Sequence, residues 1–453
     1  MRKVLRPAKI AAALVVGALV AAACGTASTS TTTTAAPGST TQSQTNQASA
    51  PGITPTQILL GSTQPLSGPA APGYEEIAPA SNAVFQWVNA HGGVFGRKIK
   101  YDFLNDEYDP ALTVTLTKQL LSMPVFADFD PLGTPTQLQV ESYLNTNKIP
   151  QLFVASGCAC WSEPSTYPWT FGWQPNYIIE GKVLGTFVAS HFSGQSVGYL
   201  YQDDEFGTDG VKGLDDEISS ADVVSRQPYS VAQLSAASGL GDQVAALQAA
   251  KAKVVVLYTI PAATAEALLA AEVLGYHPQW VISSVGSDIT TLSGLLTVFS
   301  KGKGLTPEDL LNGVLTAGYT PAVTDSSNAW ISLFKQIWQA YDATNKFDGN
   351  TLYGMAVGVT MVELLKAAGR NPTRQSLVTT LETDGAMLNT PGTVPLSYSS
   401  TDHYGYQGSE VFQIESDLLH SVSPVYVTQN TGAVTVFSGT LHSTAPSFTN
   451  PSF

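Results

Sequence analysis

Short apolar segments and longer segments with helical periodicity alternate along the chain from residue 57 to residue 283. The apolar segments, such as residues 197–201 and 254–258, have the length and β-branched content of buried strands. The segments between them, such as residues 177–192, are long enough to form helices that cross back over a sheet. This alternation predicts an α/β fold in which parallel sheets carry helices on both faces.

A stretch rich in tryptophan and proline, residues 153–177, interrupts the alternation. It contains Trp161, Trp169 and Trp173 among seven tryptophans, and Cys158 and Cys160 among three cysteines. Large rings in irregular backbone need something to pack against. The interruption predicts two α/β lobes, and its rings either pack against the protein's own core or face a ligand.

The N-terminus has the pattern of a secretory signal peptide. Four basic residues among the first nine precede the apolar residues 10–23, which form too short a run to span a bilayer comfortably. Residues 21–25, Ala-Ala-Ala-Cys-Gly, resemble a bacterial lipobox. That resemblance implies removal of residues 1–23 and lipidation of Cys24, and the alternative is an ordinary signal peptide with an incidental cysteine.

Residues 24–52 consist almost entirely of Ser, Thr, Ala, Gln, Gly and Pro, with no charged residue. Such a composition cannot bury enough apolar surface to fold, so we interpret this segment as a disordered tether. No later segment offers eighteen uninterrupted apolar residues, so no transmembrane span is predicted. The formal net charge of −14 argues against a nucleic-acid partner, because phosphates require a basic surface.

Several motifs occur in a fixed order: GSTQPLSGPAAPGY at 61–74, NAHGGVFGRK at 89–98, NDEYDP at 105–110, GTPTQ at 133–137 and YQDDEFGTDG at 201–210. In this order, across roughly residues 53–437, the chain resembles the type I periplasmic binding proteins. More specifically, it is similar to the substrate-binding lipoproteins of branched-chain amino-acid type ABC importers.

This resemblance implies two Rossmann-like lobes joined by three crossings, with the ligand in the cleft between them. Lobe 1 would comprise residues 53–173 and 320–408, lobe 2 residues 174–319 and 409–437, and residues 438–453 a frayed tail. The crossings would lie near residues 172–176, near residues 319–323 and beside a C-terminal hairpin that turns at Ser416 and Asp417. A ligand that contacts both lobes would favour the closed form.

Strand ends and helix starts in both lobes supply the expected ligand contacts. The backbone N–H groups after Gly133 open a helix and could face a carboxylate. The candidate ligand-binding residues are Tyr74, Gly133, Thr134, Thr136, Ala155, Ser156, Gly157, Trp161, Phe206, Tyr258 and Ser284.

The chain departs from the amino-acid binders at three of the positions to which the resemblance assigns a role. Gly133 and Gly157 stand where those proteins use hydroxyl side chains, and Val285 stands where an acid would pair with an α-ammonium group. A buried ammonium without an anionic partner is costly. We therefore expect an aromatic or apolar carboxylate rather than a free α-amino acid.

Cys158 and Cys160 can be oxidised in an extracytoplasmic compartment, and we expect a local disulfide between them. A free thiol pair and a metal site are the alternatives. The disulfide of the related proteins does not carry over, because Tyr108 occupies one of its positions.

Together these features predict a lipid-anchored, monomeric solute-binding protein on the outer face of the cytoplasmic membrane, with the permease subunits of an ABC importer as partners. No cofactor, metal or catalytic residue is expected. A ligand sensor of the same fold is the alternative. A secreted hydrolase using Ser196 is a remote one, because residues 194–198 match G-x-S-x-G but precede a predicted strand instead of following one.

Overall fold

The computed structural model describes residues 45–235, 239–301 and 304–451. The predicted signal peptide at residues 1–23, the lipidated Cys24 and residues 24–44 of the predicted tether lie outside the described residues.

Two sheets organise the part of the chain that the structure describes. Sheet 1 is parallel throughout, in the order β2-β1-β3-β4-β5. Its strands are β1 (Gln57–Gln64), β2 (Lys98–Asn105), β3 (Ala127–Phe129), β4 (Gln151–Val154) and β5 (Thr170–Gly172). Sheet 2 contains β6 (Val197–Gln202), β7 (Val223–Tyr229), β8 (Val254–Tyr258), β9 (Gln279–Ile282), β10 (Leu315–Gly318), β11 (Gly408–Glu415), β12 (Leu418–Ser421), β13 (Tyr426–Val427) and β14 (Thr435–Val436).

Helices connect the strands and cover the sheets. Within the described residues they are α1 (Ala71–Tyr74), α2 (Ile77–Ala90), α3 (Pro110–Leu121), α4 (Thr134–Thr146), α5 (Tyr177–His191), α6 (Glu205–Glu217), α7 (Gly241–Ala249), α8 (Pro261–Val273), α9 (Ile289–Phe299), α10 (Pro307–Leu311), α11 (Ala329–Tyr341), α12 (Gly349–Ala367) and α13 (Arg374–Asp384). None of them is both long enough and apolar enough to cross a bilayer.

The two sheets share one strand order. The parallel part of sheet 2 runs β7-β6-β8-β9-β10, which repeats the order of sheet 1, and β11 then joins β10 in the antiparallel direction. Each sheet has its own core, one including Leu60 and Phe129 and the other including Leu200 and Val256. The predicted α/β fold with two parallel-sheet lobes is confirmed.

Two local predictions are also confirmed: a helix cap, which the sequence Asp109-Pro110 predicts, and the hairpin turn at Ser416 and Asp417. The carboxylate of Asp109 caps α3 by accepting hydrogen bonds from the backbone nitrogens of Ala111 and Leu112 at 2.7 and 3.1 Å. Strands β11 and β12 form an antiparallel hairpin, and the two turn residues, Ser416 and Asp417, both have positive φ. Such values belong to the two-residue turn whose twist matches that of paired strands.

The chain passes between the sheets after β5, after β10 and before β11. The first and third of these crossings are hydrogen-bonded to each other, since the backbone nitrogen of Tyr406 donates to the Trp173 carbonyl at 3.0 Å. Trp173 is fully buried and makes edge contacts with Tyr319, Tyr353 and Tyr406. Trp173 therefore packs the hinge, which was one of the two alternatives for the tryptophans of residues 153–177.

Both ends of the described chain are attached to lobe 1, which corrects two predictions. Residues 45–52 do not belong to a disordered tether, because the Asn46 amide donates to the Phe95 carbonyl at 2.9 Å and Ser49 donates to Pro372 at 2.6 Å. Residues 438–451 do not form a frayed tail, because the Trp87 indole nitrogen donates to the carbonyl of Phe448 at 2.9 Å. Compositional bias indicates little apolar surface, but it cannot exclude docking through side-chain amides and hydroxyls.

Replacing the aromatic anchor of this C-terminal segment should destabilise lobe 1. Phe448 stacks on Trp87 with ring centroids 6.2 Å apart and an interplanar angle of 6°. We expect Phe448→Ala to lower the free energy of unfolding by about 1 to 2 kcal/mol in urea titrations, because it removes apolar burial and an aromatic contact. Val436→Ala, at a position that is 55% exposed, is the control. Equal stability of the two variants would contradict a structural role for the tail.

Candidate ligand-binding cleft

A cavity of about 420 Å³ lies between the two lobes. Its walls come from the carboxyl ends of strands in both sheets: Leu132 and Ala155 follow β3 and β4, whereas Ile260 and Ser284 follow β8 and β9. In open parallel sheets, ligand sites form outside the carboxyl ends of the strands, where the strand order reverses. The cavity occupies this position in both sheets at once.

Two glycines, Gly133 in the wall and Gly157 just behind it, make room for tyrosine rings. Gly133 has a φ of 110°, and a Cβ there would lie 2.7 Å from the ring of Tyr108. A Cβ on Gly157 would lie 2.8 Å from the ring of Tyr177. By the resemblance described above, amino-acid binders use hydroxyl side chains at these two positions. Tyr108 and Tyr177, which both line the cavity, fill that space instead.

Five tyrosines from both lobes and the crossings contribute hydroxyl groups to the wall. They are Tyr74, Tyr108, Tyr177, Tyr319 and Tyr353. Burial raises the pKa of each well above its ordinary value, and the Asp204 carboxylate adds to this at Tyr108. The hydroxyls therefore stay protonated at neutral pH and offer a ligand neutral donors and acceptors.

The described residues that line the cavity include no lysine, arginine or histidine, and the acidic ones are Asp288 and Asp417. Both carboxylate oxygens of Asp288 are in use, because Oδ1 accepts from the Thr291 nitrogen at 2.7 Å and Oδ2 from the Gly349 nitrogen at 2.8 Å. Asp417 lies at the exposed tip of the β11–β12 hairpin. Asp288 therefore already caps α9 and accepts from the first residue of α12.

A buried carboxyl group supports the wall from lobe 2. Glu180 on α5 is 1% exposed, and its oxygens accept hydrogen bonds from the backbone nitrogen and the hydroxyl of Ser284 at 3.1 and 2.5 Å. Burial raises the pKa of Glu180 to about 7. This pair fixes the turn after β9 that contributes Ser284 and Val285 to the cavity.

Hydrogen bonds join the lobes across the cleft. The Tyr74 hydroxyl donates to the Val285 carbonyl at 3.1 Å, and the Asn350 amide donates to the Thr291 hydroxyl at 3.1 Å. The backbone nitrogen of Gly349 donates to the Asp288 carboxylate in the same region. In this conformation each lobe therefore satisfies polar groups of the other.

Six of the predicted residues line the cavity: Tyr74, Gly133, Thr134, Ala155, Phe206 and Ser284. Phe206 lies in the first turn of α6, which begins at Glu205 because the Asp204 carboxylate accepts a hydrogen bond from the Phe206 nitrogen. Helical periodicity in the sequence indicates a helix only from residue 208, so it does not reveal the cap that places Phe206 at the cleft.

Four other predicted residues lie just behind the wall. The Thr136 hydroxyl bonds to the Leu132 carbonyl, and Ser156 shares a 2.6 Å hydrogen bond with Thr134. Gly157 lies against Tyr177, as described above. The Tyr258 ring packs edge-on against Tyr177 and Phe206 and is 1% exposed. Their placement behind the wall lets them orient the residues that do line the cavity.

The prediction that Trp161 forms part of the ligand wall is wrong. A single 3₁₀ turn (Ala159–Trp161) directs the ring into a small cluster with Val154 and Cys158, where Trp161 is 1% exposed. Cys158, which precedes this turn, and Cys160, which lies within it, are joined by a disulfide. The loop thus packs onto lobe 1 itself, as the first alternative for this stretch proposed.

Ser196 lies away from the cleft. It precedes β6, at the edge opposite the carboxyl end, and its hydroxyl donates to the Lys251 carbonyl at 2.6 Å. The cavity also contains residues that the sequence did not indicate: Tyr108, Gln174, Tyr319 and Tyr353. The one signal available for Tyr108 was that it occupies a disulfide position of the related proteins, whereas the other three residues follow only from the hinge geometry.

Comparison with known proteins places this architecture in a family. A model described as "Periplasmic binding protein" matches residues 57–418. No curated protein matches the sequence significantly.

Solved structures share the fold. The fatty acid ABC transporter substrate-binding protein from Thermomonospora curvata superposes with a TM-score of 0.73 at 17% identity, covering 85% of this chain and 97% of its own. A branched-chain amino acid ABC transporter protein from Thermus thermophilus with bound valine superposes with a TM-score of 0.71 at 16% identity, covering 83% of this chain and 98% of its own. A substrate-binding periplasmic protein from Ralstonia solanacearum superposes with a TM-score of 0.71 at 20% identity, covering 81% of this chain and 100% of its own.

The Glu180–Ser284 pair predicts a pH dependence of stability. Because the folded-state pKa lies above the ordinary value of 4.5, the folded chain keeps a proton that the unfolded chain releases. The stabilisation is complete below the unfolded-state pKa and is lost as the pH rises towards about 7. Between about pH 5 and 8, the free energy of unfolding measured in urea should fall by about 2 to 3 kcal/mol more for wild type than for Glu180→Gln.

Wild type and Glu180→Gln share all other buried acids, so the contributions of those acids to the pH dependence cancel in this comparison. Glu75→Gln, which changes an exposed carboxylate, is the matched control and should follow wild type. Identical pH profiles for wild type and Glu180→Gln would contradict a protonated Glu180 in the folded state.

Proposed function

The chain belongs to the type I periplasmic binding protein family, and from this premise we propose that it is the extracytoplasmic, lipid-anchored solute receptor of an ABC importer. In this role it captures a small ligand in the cleft and presents the closed form to the permease subunits. The basic start, the apolar run and the lipobox-like residues 21–25 support the anchor on Cys24.

The observation that carries this proposal is a cavity whose wall belongs to both lobes. Thr134 and Tyr108 come from lobe 1, whereas Phe206 and Ser284 come from lobe 2. A ligand that touches all four binds the closed form better than the open form, and this difference in affinity drives closure. No bond needs to be made or broken for the function.

The lining supports an apolar or aromatic carboxylate over a free α-amino acid. Tyr108 and Tyr177 offer hydroxyl donors and ring surface at positions where amino-acid binders present small hydroxyl side chains. Asp288 already accepts two backbone hydrogen bonds, so it is poorly placed to compensate an ammonium. The similar structures named above bind ligands as different as valine and a fatty acid, so the fold leaves this choice to the lining.

A ligand screen with two cleft variants tests the proposal. Purified protein is heated with phenylacetate, isovalerate, leucine or valine, and a ligand at about a hundred times its dissociation constant should stabilise it by roughly 2.7 kcal/mol. We expect the two carboxylates to give the larger shifts. Phe206→Leu should weaken their binding about fivefold to tenfold in calorimetry, because an aromatic contact to the ligand is lost.

Trp161→Phe is the control, because Trp161 is equally buried but lies outside the cavity. It should leave the dissociation constant unchanged. A larger shift with leucine or valine would contradict the choice of ligand class. Equal weakening by Trp161→Phe and Phe206→Leu would contradict the assignment of the cavity.

Closure predicts a second effect, which depends on a residue that does not touch the ligand. Thr291 lies outside the cavity wall, and its hydroxyl accepts the Asn350 amide across the cleft. Thr291→Val leaves that amide unpaired in the closed form only, so the dissociation constant should rise about twofold to tenfold. Thr297→Val, at an exposed position on the same helix, should have no effect. Equal affinities for the two variants would contradict ligand-driven closure.

A further inference from the structure

A second cavity, of about 640 Å³, lies behind the crossing that follows β10. Its walls include Asp325 and Trp330 after that crossing, Glu410 on β11, and Leu441 and Ser443 of the C-terminal segment. The Trp330 indole donates to the Ser443 hydroxyl at 2.8 Å, so the docked tail forms the outer side of this cavity.

Side chains separate the second cavity from the ligand cleft. Pro321, Ala322, Phe412 and Leu419 line both cavities. The Phe412 ring lies across the end of β10, where a Cβ on Gly318 would approach it to 2.6 Å. A partition built from an aromatic ring and a leucine can change by rotamer rearrangement, which a hydrogen-bonded strand could not do.

The ligand cleft is long as well as large. Its wall extends from Phe206, which follows β6, to Leu419 on β12. Along sheet 2 this distance crosses β8, β9, β10 and β11. These are five strand-to-strand spacings of about 4.8 Å, so the wall covers roughly 24 Å.

The two ends of the cleft differ in chemistry. The Thr134 and Tyr108 hydroxyls lie at the lobe 1 end, whereas Val323, Phe412 and Leu419 lie at the hairpin end. The exposed carboxylate of Asp417 belongs to the hairpin end, whereas hydroxyls that can donate to a ligand's carboxylate belong to the lobe 1 end.

We propose that the ligand is an elongated amphipathic carboxylate, an inference that rests on the proposed function. Its carboxylate lies near Thr134 and Tyr108, and its hydrocarbon chain follows the crossing after β10 to Phe412 and Leu419. Chains too long for the cleft displace this partition and enter the second cavity. Phe412 and Leu419 therefore set the preferred chain length.

Straight-chain fatty acids from butyrate to tetradecanoate, titrated into the purified protein by calorimetry, test the proposal. Affinity should rise about fourfold for each added methylene until the chain reaches Leu419, and then level off. Leu419→Ala should weaken binding of the optimal chain about tenfold while leaving butyrate unchanged. Phe412→Ala should move the optimum to longer chains.

Leu418→Ala is the matched control, because Leu418 precedes Leu419 on the same strand and is 45% exposed. It should behave as wild type. Phe412→Leu, which keeps most of the buried volume, provides a second variant if Phe412→Ala does not fold, and should move the optimum in the same direction by less.

The outcomes separate this inference from the proposed function. If phenylacetate or isovalerate binds and Phe206→Leu weakens it, but affinity does not depend on chain length, the elongated ligand is wrong and the solute receptor stands. Equal effects of Leu418→Ala and Leu419→Ala would also overturn the inference. If no carboxylate, short or long, binds with or without these variants, the proposed function fails together with the inference.

Discussion

The short crossings between the lobes are the constraint on which the rest of the structure depends. The chain leaves β5 at Gly172, the carboxyl end of a sheet 1 strand, and enters α5 at Tyr177. Since α5 leads into β6, it begins beside the carboxyl edge of sheet 2. Four residues thus join one carboxyl edge to the other, and the two edges must face each other. All loops that follow parallel strands then converge on the same space, so the cavity is a consequence of topology before any side chain is specified.

The character of that space depends on close contacts between glycines and rings. Gly133 admits Tyr108, Gly157 admits Tyr177 and Gly318 admits Phe412, each from a different part of the chain. A hydroxyl side chain at the first two positions would collide with the ring that now occupies its place. Glycine at these positions therefore allows aromatic rings and neutral tyrosine hydroxyls to take the place of small polar side chains in the cleft. Because burial keeps these hydroxyls protonated, the wall gains hydrogen-bonding capacity without gaining charge.

The sequence predicted features with a local cause and missed those created by distant contacts. Alternating strands and helices, the Asp109 cap and the turn at Ser416 and Asp417 depend on neighbouring residues, and all are present. Trp161 was misassigned because nothing in its neighbourhood shows that a 3₁₀ turn buries the ring. The docked tail was missed for a similar reason: its partners, Trp87 and Trp330, lie more than a hundred residues away. Of the wall, the strand ends could be predicted, but the rings that enter from Tyr108 and Tyr353 could not.

The absence of a cationic side chain among the described residues that line the cleft determines how affinity must arise. A receptor that pairs a carboxylate with arginine gains strong, directional attraction at the cost of desolvating both charges. The lining of this cleft can offer a ligand's polar end hydroxyls, the amides of Gln174 and Asn350 and backbone N–H groups, which contribute modestly one by one. Most of the binding free energy then has to come from apolar surface, which grows with the length of the ligand's hydrocarbon part. An aromatic wall along the crossing after β10 supplies such surface, and the interlobe hydrogen bonds of Tyr74 and Asn350 close the cleft over it.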